Sequence, residues 1–154
     1  MFIRRRYDDS MVRIRIADEV TDKLIDSYKK LIPQLSNSSL PPTKEELERI
    51  IKSDASTILV AENNDDEIVG TMTLVLFRIP TGLRAWIEDV VVDSECRGEG
   101  IGKKLNQEAL DIARKAGAKT VELTSRPARE SANRLYQDLG FKQRETNIYR
   151  FSFD

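Results

Sequence analysis

From Leu83 to Thr124 the chain reads as strand, glycine-rich loop, helix and strand, and this unit limits the fold more than any other feature. The strand Leu83 to Val92 runs into a loop with glycines at 98, 100 and 102. Ile101, Leu105, Ala109, Ile112 and Ala116 then make one apolar stripe at helical spacing, and Gly117 stands where a left-handed residue ends a helix. Thr120 to Thr124 returns as a second strand. Two strands joined through one helix should pair in parallel by a right-handed crossover.

The rest of the chain surrounds this unit with antiparallel pattern. Val12, Ile14 and Ile16 alternate with polar residues as in a half-buried strand. Val20, Leu24, Tyr28, Leu31 and Leu35 recur at helical spacing, with Pro33 disturbing the end of the helix. Thr43 followed by Glu46 has the form of a capping box opening a short helix. Thr57 to Ala61 and Ile68 to Phe77 flank the polar turn Asn63 to Asp66 and read as a hairpin. Ala132, Leu135, Tyr136 and Leu139 mark a last helix stopped by Gly140, and the tail alternates Tyr149, Phe151 and Phe153 on one face of a further strand. The expected fold is a mixed α/β (α+β) sheet, antiparallel first and then with one parallel crossover. Repeated strand–helix–strand units are too few for a doubly wound fold. At 154 residues, a single domain over 1–154 is expected.

Composition narrows the chemistry sharply. There is no histidine, so Ser-His and Cys-His dyads, His-ligated metals and imidazole bases are excluded. The lone Cys96 excludes an intrachain disulfide and a cysteine-rich zinc site, and no metal ligands are expected. A net charge of −1 argues against a nucleic-acid partner. Arg4, Arg5 and Arg6 are followed at once by Asp8 and Asp9 and read as a solvated terminus. No run approaches the roughly 18 apolar residues of a membrane span, and no signal-peptide core follows the first residues, so a cytoplasmic location is expected.

The loop after the Leu83–Val92 strand invites a phosphate. Glycines let backbone approach a ligand closely, and the first N–H groups of the following helix have no internal partner. Their dipole is positive there, and Arg97, Lys103 and Lys104 add charge. A Walker A reading fails, because Arg97 stands where the first glycine belongs and Lys104 where Ser or Thr belongs. A dinucleotide fingerprint needs Gly-x-Gly-x-x-Gly, whereas this loop has Gly98, Gly100 and Gly102; Glu122 lies where a ribose-binding acid would sit, but the unit follows an antiparallel hairpin.

The segment Arg97-Gly98-Glu99-Gly100-Ile101-Gly102 resembles the Arg/Gln-x-x-Gly-x-Gly/Ala signature of the GCN5-related N-acetyltransferases, the GNAT superfamily. Glu88 to Asp93 looks like the strand that leads into that loop. Ala132 to Phe141 is similar to the family's Ala-x-x-Leu/Phe-Tyr-x-x-x-Gly-Phe motif. From Trp86 onward the chain looks closest to small-amine acetyltransferases such as the glucosamine-phosphate and aminoalkylphosphonate enzymes.

This resemblance implies a GNAT-type sheet whose two parallel strands splay around acetyl-CoA or coenzyme A. It implies that the backbone of Val90, Val91 and Val92 pairs with the pantetheine arm, with an amide of Val91 or Val92 as oxyanion donor. The N–H groups from Arg97 through Gly98, Glu99, Gly100, Ile101 and Gly102 to Lys103 would hold the pyrophosphate. Many members carry Asn where this chain has Arg129, so that contact is lost or replaced, and Arg129 could reach a phosphate or an anionic group on the acceptor.

Acetyl transfer to an amine needs a base, an oxyanion donor and an acid for the leaving thiolate. Direct attack in a ternary complex requires no enzyme nucleophile, which suits a chain without histidine. By the motif match Tyr136 is the acid; Glu88 is the leading base candidate and Asp89 the second. Cys96 sits at the pyrophosphate end of the loop, too far along for an acetyl-cysteine route. Trp86 is a core residue or a wall of the acceptor pocket. The expected activity is an acetyl-CoA-dependent N-acetyltransferase acting on a small-molecule or protein amine. The competing reading is a non-catalytic acyl-CoA sensor of the same fold. From Thr43 to Glu67 there are eight acidic residues against three basic ones, a hint of a cationic acceptor. The aromatic tail suggests a homodimer.

Overall fold

Strand β1 (Arg13–Ile16) opens a computed structural model that describes residues 12–153; the Arg4 to Arg6 cluster lies outside the described residues. It is followed by α1 (Asp22–Leu35), α2 (Lys44–Lys52), β2 (Ser56–Glu62), β3 (Ile68–Ile79), β4 (Gly82–Val92), α3 (Ile101–Lys115), β5 (Thr120–Glu122) and α4 (Glu130–Asp138). These elements fall into two compact units, one ending at Thr124 and the other beginning at Ser125. Among the described residues no helix is long and apolar enough to cross a membrane.

The first unit is one five-stranded sheet in the order β1-β2-β3-β4-β5. Its first three pairings are antiparallel and β4–β5 is parallel, with α3 as the crossover, as the strand and helix periods require. Caps explain where the flanking helices begin. The Thr21 hydroxyl accepts the Leu24 N–H at 3.1 Å at the start of α1. Thr43 and Glu46 form both bonds of the expected capping box on α2. Pro33 lies inside α1, in its last turn, where its missing N–H leaves the Lys29 carbonyl without a helical partner, and the helix ends two residues later at Leu35. In the hairpin turn the Asn63 side chain accepts from the N–H groups of Asp65 and Glu67, and Asp66 takes φ +58°.

Period-2 alternation splits the sheet residues between two faces. Leu24, Tyr28 and Leu31 of α1 and Leu47 of α2 pack against Ile58, Val60 and Val91 on one face. On the other, a Cβ at Gly70 would come within 3.3 Å of Ile101 and Leu105, so glycine lets α3 lie close on β3. Burying a side chain such as Leu31 or Leu105, both fully inaccessible, contributes roughly 1.5–3 kcal/mol. On β2, the buried carboxylate of Glu62 takes Arg13 at 2.9 Å, Lys23 at 3.3 Å and Arg15. Burial alone would raise Glu62; the three cations outweigh it and hold its carboxyl below the usual range.

Two sequence expectations need correction. The strand after α3 stops at Glu122, two residues early, because its ladder with β4 ends there. The tail forms no strand among residues 141–153. Tyr149, Phe151 and Phe153 alternate correctly but are all highly exposed, and the rings of Phe151 and Phe153 meet edge to face at 5.3 Å. Alternation is necessary for a strand but not sufficient: without a ladder partner an extended segment gains no inter-strand hydrogen bonds.

Candidate active site

The site is built on β4. From Gly82 to Glu88 this strand pairs with β3 in regular register, Val75 opposite Trp86 and Thr73 opposite Glu88. The register then slips, since Thr71 pairs with Val91, so Asp89 and Val90 together face the single residue Met72. Such a bulge needs one residue off the pleat, and Asp89 supplies it with φ +53°, a region that Asp enters more readily than most residues. One extra residue also resets the faces. Glu88 and Val91 therefore share the side covered by α1, which strict alternation would deny them.

Among the described residues the opposite edge of β4 has no strand partner along the same stretch. Arg84, Ala85 and Trp86 pair with Thr120, Val121 and Glu122, and the parallel ladder ends there. From Ile87 to Val92, including Val90, Val91 and Val92, β4 has no β5 partner. Backbone donors and acceptors on that edge can pair with an extended ligand.

Beyond Val92 the loop turns into α3. Asp93 opens a single 3₁₀ turn (Ser94–Cys96), and the Arg97 guanidinium donates to the Val92 carbonyl at 3.4 Å. Gly98 and Gly100 have φ +80° and +78°, the left-handed region that favours glycine. Gly100 is the N-cap of α3 and no side chain caps the helix, which leaves the first-turn N–H groups of Ile101, Gly102 and Lys103 for an anion. A surface cavity lies at this end, lined by Glu99, Gly100, Lys103, Lys104 and Gln107. One carboxylate oxygen of Glu99 is buried without a hydrogen-bond partner, and burial raises its carboxyl above the ordinary value. The uncapped first-turn N–H groups and the lysines lining this cavity fit a pyrophosphate.

Other candidates occupy distinct settings. Glu88 and Asp89 are exposed on β4, and the Trp86 indole N–H donates to Glu88 Oε1 at 2.7 Å. The thiol of Cys96 is buried, and burial together with Asp93 and Glu99 pushes it up, the wrong direction for a nucleophile. In the second unit, Arg129 is the exposed N-cap residue of α4 and makes no side-chain cap. Tyr136 lies two turns along α4, half-buried, its ring edge-on to Phe141 at 5.8 Å. Burial raises its phenol above the ordinary value, and the charge of Arg129 only partly opposes this. Among the described residues no group of three or more His, Cys, Asp or Glu is placed to hold a metal.

The structure thus brings Glu88 to Val92 and Arg97 to Lys103 together along one strand, loop and helix start, while Arg129 and Tyr136 belong to the second unit. It also adds residues that pattern reading passed over. Lys30 pairs with Asp93, and the Gln34 amide oxygen accepts the Ser94 N–H at 2.8 Å. The buried Tyr28, its phenol pushed up to about 12 chiefly by burial and also by Asp89, sits under the bulge. Lys30 and Gln34 are four residues apart and so share a helix face, but nothing local points them at a loop sixty residues on.

The chain is similar to known acetyltransferases in sequence and in fold. Over 64 residues the chain is 45% identical to an uncharacterized N-acetyltransferase, YhdJ, of Bacillus subtilis, covering 41% of this chain and 45% of that protein. Over 84 residues it is 40% identical to the glucosamine 6-phosphate N-acetyltransferase of Trypanosoma brucei, covering 53% and 55%. The matched stretch therefore spans about half the length of each relative. The crystal structure of an acetyltransferase from Trypanosoma brucei has the same fold, with TM-score 0.75 and 27% identity over 92% of this chain and 99% of that one. The acetyltransferase (GNAT) family matches residues 20–141, from α1 through the bulged strand and glycine loop to the end of α4, and the chain belongs to that family.

Proposed function

We propose that the chain is an N-acetyltransferase that uses acetyl-CoA and acetylates a primary amine by direct attack in a ternary complex. One observation carries this reading: the β4 edge that β5 leaves unpaired beyond Trp86 is joined by a single glycine loop to the uncapped N-terminus of α3. An extended amide-bearing arm suits the first part and a pyrophosphate the second, a ligand shape that coenzyme A has and a simple nucleotide lacks.

Bound acetyl-CoA supplies an activated acetyl thioester. The residues of the chain do the rest. Glu88, exposed beside the open edge, accepts the proton of the acceptor's ammonium directly or through water, with Asp89 as second choice. A backbone N–H of Val91 or Val92 serves as the fixed donor to the developing negative oxygen. Tyr136 holds the proton destined for the sulfur, and its raised phenol stays neutral through the physiological range. Arg129 serves an anionic group on coenzyme A or on the acceptor.

The test is release of free thiol from acetyl-CoA with a panel of primary amines: glucosamine 6-phosphate, spermidine, an aminoglycoside and a peptide with a free α-amine. Amine-dependent thiol release, with the acetylated amine detected by mass, is expected for one member. Tight coenzyme A binding with no thiol release across the panel would instead establish the non-catalytic sensor.

A further inference from the structure

We propose that Trp86 is a positioning residue for acetyl transfer, acting through Glu88. This rests on the reading of Glu88 as the base.

Trp86 is the last residue of β4 paired to β5, opposite Glu122, and Glu88 is two residues further, on the edge that β5 leaves open. Residues two apart on a strand share a face, so the indole and the carboxylate lie side by side across from Val75 and Thr73. The indole N–H donates to Glu88 Oε1 at 2.7 Å. Indole has a single donor and no acceptor, so this bond uses all its polar capacity and fixes which oxygen it takes. Oε2 has no hydrogen bond to any described residue, and it is the oxygen left to meet the acceptor.

A glutamate has three rotatable bonds and, on an exposed strand, loses its orientation readily. Trp86 has two, and its ring is half-buried on a strand paired on both sides. Regular pairing with β3 runs through Glu88 and the bulge begins at Asp89, but pairing fixes only the backbone of Glu88, not its side chain. The rigid ring fixes the side chain. An unfixed carboxylate can still bind an ammonium, but it spends less time where a proton can pass. Removing the indole donor therefore acts on turnover more than on acetyl-CoA affinity.

Two measurements test this. Trp86 is the only tryptophan, so its emission reports on the contact without interference. Glu88→Gln should change the emission maximum or yield of Trp86 in the free protein. In kinetics with the most active amine of the panel above, Trp86→Phe should lower kcat about tenfold with little change in the KM for acetyl-CoA, on the scale by which misplaced groups lose rate. In the Glu88→Gln background the same change should cost almost nothing, because no base is left for the indole to position. Unaltered Trp86 emission in Glu88→Gln, or an equal loss from Trp86→Phe in both backgrounds, overturns the proposal. Full activity in Glu88→Gln overturns the reading of Glu88 as base, whereas a slow Glu88→Gln beside a fully active Trp86→Phe overturns only the role of Trp86. The emission test uses the native tryptophan and stands even if Trp86→Phe does not fold.

Discussion

Lys30 on α1 stands 2.5 Å from the carboxylate of Asp93, the residue that carries β4 into the glycine loop. Asp93 is almost wholly buried. Burial alone would raise its carboxyl, but the Lys30 ammonium and the Glu95 N–H outweigh that and hold it below the usual range. One turn along α1, Gln34 accepts from Ser94. The helix over the bulged strand thus grips the start of the loop at two successive residues.

That grip has a pH signature. The folded Asp93 carboxyl lies below its unfolded value, so its stabilisation is complete above the ordinary carboxylate range and is lost as pH falls through the folded value. Lys30 is raised, chiefly by its bond to Asp93, so its share is complete below the ordinary lysine range and is lost only on the alkaline side. Asp93→Asn should therefore lower Tm at neutral pH and flatten its decline between neutrality and about pH 3, with coenzyme A affinity reduced as the loop loosens. Thermal scans across that range check this; an acid limb as steep as wild type would show that Asp93 does not titrate with folding. Glu62→Gln should flatten the same limb for the same reason, without touching the loop.

Gly100→Val tests the loop as a phosphate site. Gly100 has φ +78°, and a branched residue there is strained before any ligand arrives. If the uncapped N–H groups hold a pyrophosphate, losing two charge-assisted bonds of roughly 1.5–3 kcal/mol each should weaken coenzyme A at least a hundredfold. Calorimetry on a variant with a native circular dichroism spectrum decides it. Equal affinity would falsify the assignment.

Legibility followed the range of the interactions. The parallel crossover followed from the order of its elements and the general handedness rule. Features set by neighbours within one turn or one pleat could be read, namely the Thr43–Glu46 box, the hairpin around Asn63 and the Gly117 cap. The bulge could not, because slipping one residue at Asp89 depends on how β3 and β4 meet, and Asp-Val carries no turn signature. Neither could Lys30–Asp93, whose partners are 63 residues apart. The tail failed for the complementary reason. Tyr149, Phe151 and Phe153 satisfy the local pattern, while a strand also requires a neighbour that local pattern cannot guarantee.

For Glu88, pH separates a base from a bystander. At neutral pH an alkyl amine with a pKa near 10 is almost entirely ammonium, so a base should matter most there. Glu88→Gln should lower kcat/KM by roughly 10²–10⁴ at neutral pH, and the loss should shrink as pH approaches that of the free amine. A small, pH-independent loss would transfer the role to Asp89 or to water. Glu88 is exposed and, among the described residues, its carboxylate is hydrogen-bonded by Trp86, so the substitution should leave Tm close to wild type.

Tyr136 allows the narrowest test, because it turns on one hydroxyl. Its ring packs edge-on against Phe141, and the Phe141 N–H donates to the Tyr136 carbonyl at 2.9 Å, so the residue ties the end of α4 to the segment after it. A purely structural tyrosine would need only that ring. Burial keeps the phenol neutral, and a neutral phenol can donate to a departing thiolate that would otherwise leave as a charge. Tyr136→Phe keeps the ring and removes the donor. If the hydroxyl protonates the leaving group, kcat should fall by roughly 10- to 10⁴-fold while acetyl-CoA affinity and Tm barely move. If the ring is all that matters, Tyr136→Phe should turn over normally, and damage should appear only in Tyr136→Ala, with lower Tm as the edge-to-face contact is lost. Turnover, coenzyme A affinity and Tm measured on both variants separate the two roles, and full activity in Tyr136→Phe rules out the acid.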